Sequence, residues 1–210
     1  MALTLNGSNN TIAGLAVGGL PDGIVDNDMI ANTTIAEAKL AANVNTITVV
    51  DQWQQTADSS VSSSQIFTAN WGRTASTATG AYQTFGRIDT TGMTESSGVF
   101  TFPSPGVWRI EFTGSAYKGD YPRRWMGAHL LVTKDNSTYT DTAYAYQSTH
   151  AEDGSSVYAS STVVTIFDVT STSDCKVKFK VSCDGAMTWM GDDSNAIPYT
   201  HAIFTRLGDT

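Results

Sequence analysis

The chain has 210 residues, 40% hydrophobic and only 15% charged, with a formal net charge of −8. That charge argues against nucleic acid and anionic membrane surfaces as partners, because phosphate binding needs clustered Lys and Arg. No stretch of about 18 apolar residues occurs, so no spanning helix and no membrane insertion is expected. Met1–Asn10 also lacks the basic start and apolar centre of a signal peptide, so synthesis in a cytosol is expected.

Abundant Thr, Ser and Gly, with five Trp, eight Tyr and eight Phe, point to a β-rich protein with many polar turns. Leu3 and Leu5 alternate with Thr4, Asn6–Asn10 is a turn, and Thr11–Val17 is a weak apolar run, which predicts an N-terminal hairpin or arm. So small an element cannot bury its own apolar side and needs a partner surface. Asp26–Ala42 is the only helical candidate, with an incomplete apolar stripe of Met29, Ile30, Ile35, Ala38 and Leu40. An isolated helix this short is marginal in water.

From Thr46 onward the period becomes two, which sets a domain boundary near residue 45: arm and stalk over 1–45, one sandwich over 46–210. Strands are expected from Ile47 and Val49, around Ile66–Phe67, over Thr84–Ile88 and over Val99–Phe102. Pro103-Ser104-Pro105-Gly106 then turns the chain. Trp108, Ile110 and Phe112 alternate with Arg109, Glu111 and Thr113, so Val99–Phe112 reads as a hairpin with an aromatic core face. Further strands follow at Ala128–Val132, Ala143–Gln147, Val157–Val169 and Ile197–Leu207. Val163–Phe167 is apolar on both faces, which predicts a central strand. Cys175, Val177, Phe179, Val181 and Cys183 should face inward, with Lys176, Lys178 and Lys180 outward. The two cysteines stand roughly 26 Å apart along a straight strand, too far for a disulfide, so two free buried thiols are expected. Eight to ten short strands with turns about every ten residues signal an all-β sandwich or jelly roll.

Gly98-Val99-Phe100-Thr101-Phe102, Pro105-Gly106-Val107-Trp108 and Phe112 resemble the C1q/TNF-like jelly-roll family, with Trp108 where its pattern has Tyr. The last strand, Thr200–Leu207, is similar to that family's C-terminal strand. Asp22–Ala31 and Ile35–Leu40 resemble the linkers of tailed-phage fibre proteins. Asp51-Gln52-Trp53, Met93–Gly98, Asp135–Tyr139, Ile166–Val169 and Arg206–Thr210 are similar to C-terminal domains of marine tailed-phage virion proteins. The resemblance implies a homotrimer, with Ile24, Met29, Ile30, Ile35 and Leu40 as contacts of a three-chain stalk. Apolar residues with too little chain to cover them agree with association of several copies.

His129, His150 and His201 are scattered, and HExxH, CxxC and GxSxG are absent. Asp184 with Asp192 and Asp193 lacks Ca²⁺-loop spacing and reads as an acidic turn. No enzyme, metal or cofactor is therefore expected. Tyr121, Arg123, Arg124 and Trp125 form a candidate outward binding loop, because Arg and aromatics favour binding hot spots and planar faces suit sugars.

The resemblance implies a virion protein. The first expectation is a trimeric capsid decoration protein, its arm (Leu3, Leu5, Ile12, Leu15, Val17) gripping the major capsid protein by added strands or apolar contacts. The alternative is a tail-fibre tip that binds a host surface glycan or protein receptor, for which residues 1–45 are a short shaft. A glycan depolymerase is the remote third, since no carboxylate pair has a recognisable context.

Overall fold

The computed structural model describes residues 4–6, 11–13, 47–74, 91–119, 123–149, 156–193 and 197–210. By its internal contacts the chain divides into Met1–Asn45 and Thr46–Thr210. In the first unit β1 (Thr4–Asn6) and β2 (Thr11–Ala13) pair antiparallel, with Leu5 opposite Ile12. Leu3, Leu15, Val17, the five stalk positions, the helical candidate 26–42 and the expected strand 84–88 lie outside the described residues.

The second unit holds β3 (Val50–Gln55), β4 (Ser59–Val61), β5 (Ser64–Ile66), β6 (Trp71–Arg73), β7 (Thr94–Ser96), β8 (Val99–Thr101) and β9 (Gly106–Lys118). Then come β10 (Trp125–Thr133), β11 (Thr140–Ser148), β12 (Val157–Val169), β13 (Lys176–Cys183), β14 (Met187–Trp189) and β15 (His201–Gly208). One sheet runs β11-β10-β13-β8-β7, with β5 also on β13. The other runs β4-β14-β9-β15-β3-β6, with β12 along β9. All pairings are antiparallel and no helix occurs among the described residues, so the unit is an all-β jelly-roll sandwich.

The core follows from the alternation of β9 and β13. Trp108, Ile110 and Phe112 point inward from β9, and Val177, Phe179 and Val181 from β13, all fully buried. Phe112 stacks on Phe179 across the two sheets at 4.7 Å, and Phe100 sits among Trp53, Trp71, Phe179 and Phe204. Truncating one such ring to Ala costs about 3–5 kcal/mol. Cys175 and Cys183 are free and buried at the two ends of β13, as the alternation predicts.

Four expectations need correction. Val99–Phe112 is not a hairpin: β8 ladders with β7 and β13, whereas β9 ladders with β12, β14 and β15. Pro103–Gly106 is therefore a corner that carries the chain between sheets, and Phe102 meets Trp108 across it at 5.2 Å. The true hairpin is β7–β8, joined by Ser97-Gly98, both with positive φ, as a tight primed turn requires. Second, β12 is not central: among the described residues it pairs only with β9, so its other edge has no described partner strand. Third, Lys176 is buried, its stem against the sheet and its Nζ donating to the Thr172 carbonyl at 2.6 Å. Fourth, the first strand of the sandwich begins at Val50, with Ile47 exposed ahead of it.

Candidate functional site: the outward faces of the two sheets

On the β11-β10-β13 face, register sets one row of Tyr146, Gly127 and Ser182 beside a second of Tyr144, His129 and Lys180. Tyr144 is 62% exposed and Tyr146 55%. Gly127 makes this possible: a Cβ there would stand 2.6 Å from Tyr146 Cδ1, so the ring lies on bare backbone. The half-buried Trp125 meets Tyr146 at 5.2 Å and 85°, and Tyr144 meets it at 5.5 Å and 56°. His129 stands on edge to Tyr146 at 5.6 Å and 85°. The rings thus form a floor with inclined sides.

Polar groups hold this arrangement. His129 Nε2 shares a 2.7 Å hydrogen bond with Ser182 Oγ, while its buried Nδ1 has no hydrogen-bond partner among the described residues and lies 3.8 Å from Asp141 Oδ1. Burial above all, then the Lys180 charge, moves the His129 pKa down, so the ring is neutral near pH 7. Lys180 in turn is paired with Asp141.

The predicted loop contributes only part of this site. Tyr121 lies outside the described residues. Arg124 donates to Asp184 (Nε–Oδ2 2.6 Å), which lowers the Asp184 pKa, and Arg123 Nε donates to the Ala186 carbonyl at 3.4 Å. Both guanidiniums therefore clasp the β13–β14 turn, and only Trp125 joins the aromatic row. Tyr144 and Tyr146 escaped notice in the sequence. The available signal was the pattern Ala143-Tyr144-Ala145-Tyr146, which puts two rings on one face of a strand.

The opposite face, on β12-β9-β15, differs in character. Tyr158 (67% exposed) stacks on Tyr117 at 5.6 Å, and Val164, Ile166 and Leu207 are exposed. Between them run Ser160–Ser115 and Thr162–Thr113 hydroxyl pairs, each 2.8 Å, and an Arg109–Glu111 pair. Tyr158, Val164 and Ile166 lie on β12, whose outer edge has no partner among the described residues, and Leu207 lies on β15 across β9.

A buried ion pair is structural. Asp51, fully buried, accepts from Arg73 (2.8 and 2.9 Å), Trp53 Nε1 (3.0 Å) and the Met93 amide (2.7 Å). Arg73 also covers the Trp53 ring at 4.5 Å. It lines a recess of about 560 Å³ with Glu95, whose carboxylate is taken by the Gly98 amide. His201 lies apart on β15, and His150 is not among the described residues. No group of three or more His, Cys, Asp or Glu suited to a metal occurs among the described residues.

Known structures share this architecture. The TNF protein Eiger from S. frugiperda superposes with a TM-score of 0.55 at 11% identity, over 79% of this chain and 96% of that one. Murine APRIL at pH 5.0 gives 0.46 at 10% identity, over 76% and 98%. The fold is a TNF-like jelly roll. No protein-family model and no curated protein matches the sequence.

Proposed function

We propose that this chain is a non-enzymatic structural protein of a tailed-phage virion, a homotrimer that decorates the capsid and is anchored by its N-terminal arm. The observation that carries self-association is the β12 rim, where Tyr158, Val164 and Ile166 are exposed beside a strand edge with no partner among the described residues. A solitary soluble domain has no use for such a surface and normally blunts such an edge. The phage role rests on the sequence resemblance of the linker and of the Asp51-Gln52-Trp53 and Asp135–Tyr139 segments. Three copies of the 22.4 kDa chain make the assembly expected in sedimentation, and Val164→Asp with Ile166→Asp separates it. A monomeric parent protein refutes the trimer.

Position in the particle tests the rest. Labelled antibody should mark many copies over the icosahedral faces, and deletion of residues 1–20 should leave a soluble trimer that no longer binds capsids. A few copies confined to the tail overturn decoration and favour a fibre tip that binds a host surface receptor. The exposed Tyr144–Tyr146 row is what favours that second reading.

A further inference from the structure

The outward aromatic row on β11-β10 is built as a recognition surface, and its composition says for what. We propose that Trp125, Tyr144 and Tyr146 form a binding site for a neutral glycan, a chain of uncharged pyranose units. Tyr146 supplies a flat floor, because Gly127 removes the side chain beneath it, and its other face is open. Tyr144 and Trp125 stand beside that floor at 56° and 85°. Such a shape takes the C–H face of a sugar ring and holds its neighbours at the sides. Among the described residues neither tyrosine hydroxyl is engaged by another group, so both can exchange hydrogen bonds with sugar hydroxyls.

Charge selects an uncharged ligand. Lys180 is paired with Asp141 and Arg124 with Asp184, while Lys178 lies over the Tyr139 ring at 3.9 Å and Arg123 is turned to the Ala186 carbonyl. His129 is neutral and buried. Among the described residues no cation lies over the Trp125, Tyr144 or Tyr146 ring, and the chain as a whole carries −8. Area selects a small ligand over a protein. The three rings expose roughly 300 Å², well short of the 800 Å² or so per partner of a stable protein interface, and the surrounding Thr140, Asp141, Thr142, Gln147 and Ser148 are polar. Rigid rings also lose little entropy on binding. This site deepens the receptor-binding reading and is independent of capsid decoration, since its test needs only the folded protein.

The test is affinity electrophoresis of the full chain through native gels that contain hydroxyethylcellulose, laminarin, galactomannan or dextran, with alginate and heparin as anionic controls. At least one neutral polymer should retard the protein, and alginate and heparin should not. Tyr144→Ala and Tyr146→Ala should each weaken that retardation about tenfold, the loss of one stacking ring. Tyr146→Phe, which keeps the ring, should bind within about threefold of the parent. Melting curves confirm that each variant is folded, and quenching of tryptophan fluorescence by the polymer supplies a second readout. The proposal is overturned if no neutral polymer retards the protein, if only the anionic ones do, or if the alanine variants bind like the parent. It is equally overturned if those variants change the oligomeric state instead, because the rings are then a contact between copies.

Discussion

Removing the Asp51 carboxylate should be among the most damaging single changes in the sandwich. It serves three elements at once: Trp53 on its own strand, Arg73 on β6 and the Met93 amide ahead of β7. Asp51→Ala strands the Trp53 Nε1 and the Met93 amide, each worth about 1–3 kcal/mol when buried and unpaired. The Arg73 side chain is 33% exposed, so water recovers part of its share. The sum is about 3–5 kcal/mol, the range found when one partner of a buried ion pair is deleted. For a domain of this size each kcal/mol moves Tm by roughly 2–4 °C, so a drop of roughly 6–20 °C is expected. Asp51→Asn retains one acceptor oxygen and should lose about half as much. Thermal unfolding followed by near-ultraviolet dichroism, at one protein concentration so that assembly is held constant, measures both. If both variants melt within about 3 °C of the parent, the ion pair does not hold these strands and the assignment is wrong.

Gly98 has φ +78°, and a Cβ there would lie 2.1 Å from the Phe67 carbonyl oxygen; Gly98→Ala should cost about 3 kcal/mol or more in urea unfolding. The Asp135 carboxyl is held well below the ordinary carboxylate range by the Thr133 hydroxyl and then the Thr138 and Ser137 amides. Because its folded pKa is depressed, its contribution is complete above about pH 4 and drains away as pH falls toward the folded value. Asp135→Ala should therefore flatten the acid limb of the stability curve below about pH 4. Burial pushes the Cys183 thiol pKa up, and Cys175 is equally enclosed, so both should resist a thiol reagent at pH 8 until the chain is unfolded.

Alternation was the most legible feature of this sequence. It placed Trp108, Ile110, Phe112, Phe179 and both cysteines in the core, because a half-buried strand has a period of two wherever it lies. Partner choice was less legible. Phe100, Phe102 and Trp108 show the same local pattern whether their strands pair side by side or face each other across a sandwich. What decides is the distant Lys176–Val177 segment that takes β8. The three-residue strands β4, β6 and β14 are too short to carry a period at all. Val163–Phe167 misled for a more informative reason. Its second apolar face is not covered by the fold, so the residues that predicted a central strand are those now exposed at the β12 edge. As for the candidate site, Trp125 could be read in advance, but Gly127 gains its meaning only from its register opposite Tyr146.

The two surfaces meet at one rim of the sandwich, which would link the proposed assembly to the proposed glycan site. Ser161 Oγ on β12 donates to the Ala145 carbonyl on β11 at 2.8 Å, between the two tyrosines that carry the proposed glycan site. Copies joined through the β12 edge would hold three aromatic rows at fixed separations. A weak contact repeated on one polymer gains strength from effective concentration, about 10²–10⁴-fold when the spacing can be spanned. Separating the copies with Val164→Asp and Ile166→Asp should then leave binding of a short oligosaccharide unchanged, as read by tryptophan quenching. Retardation by the matching polysaccharide should fall roughly 10²-fold. If oligosaccharide and polymer binding fall together, the β12 edge shapes the site itself. If neither falls, the aromatic rows act singly and the assembly serves only attachment.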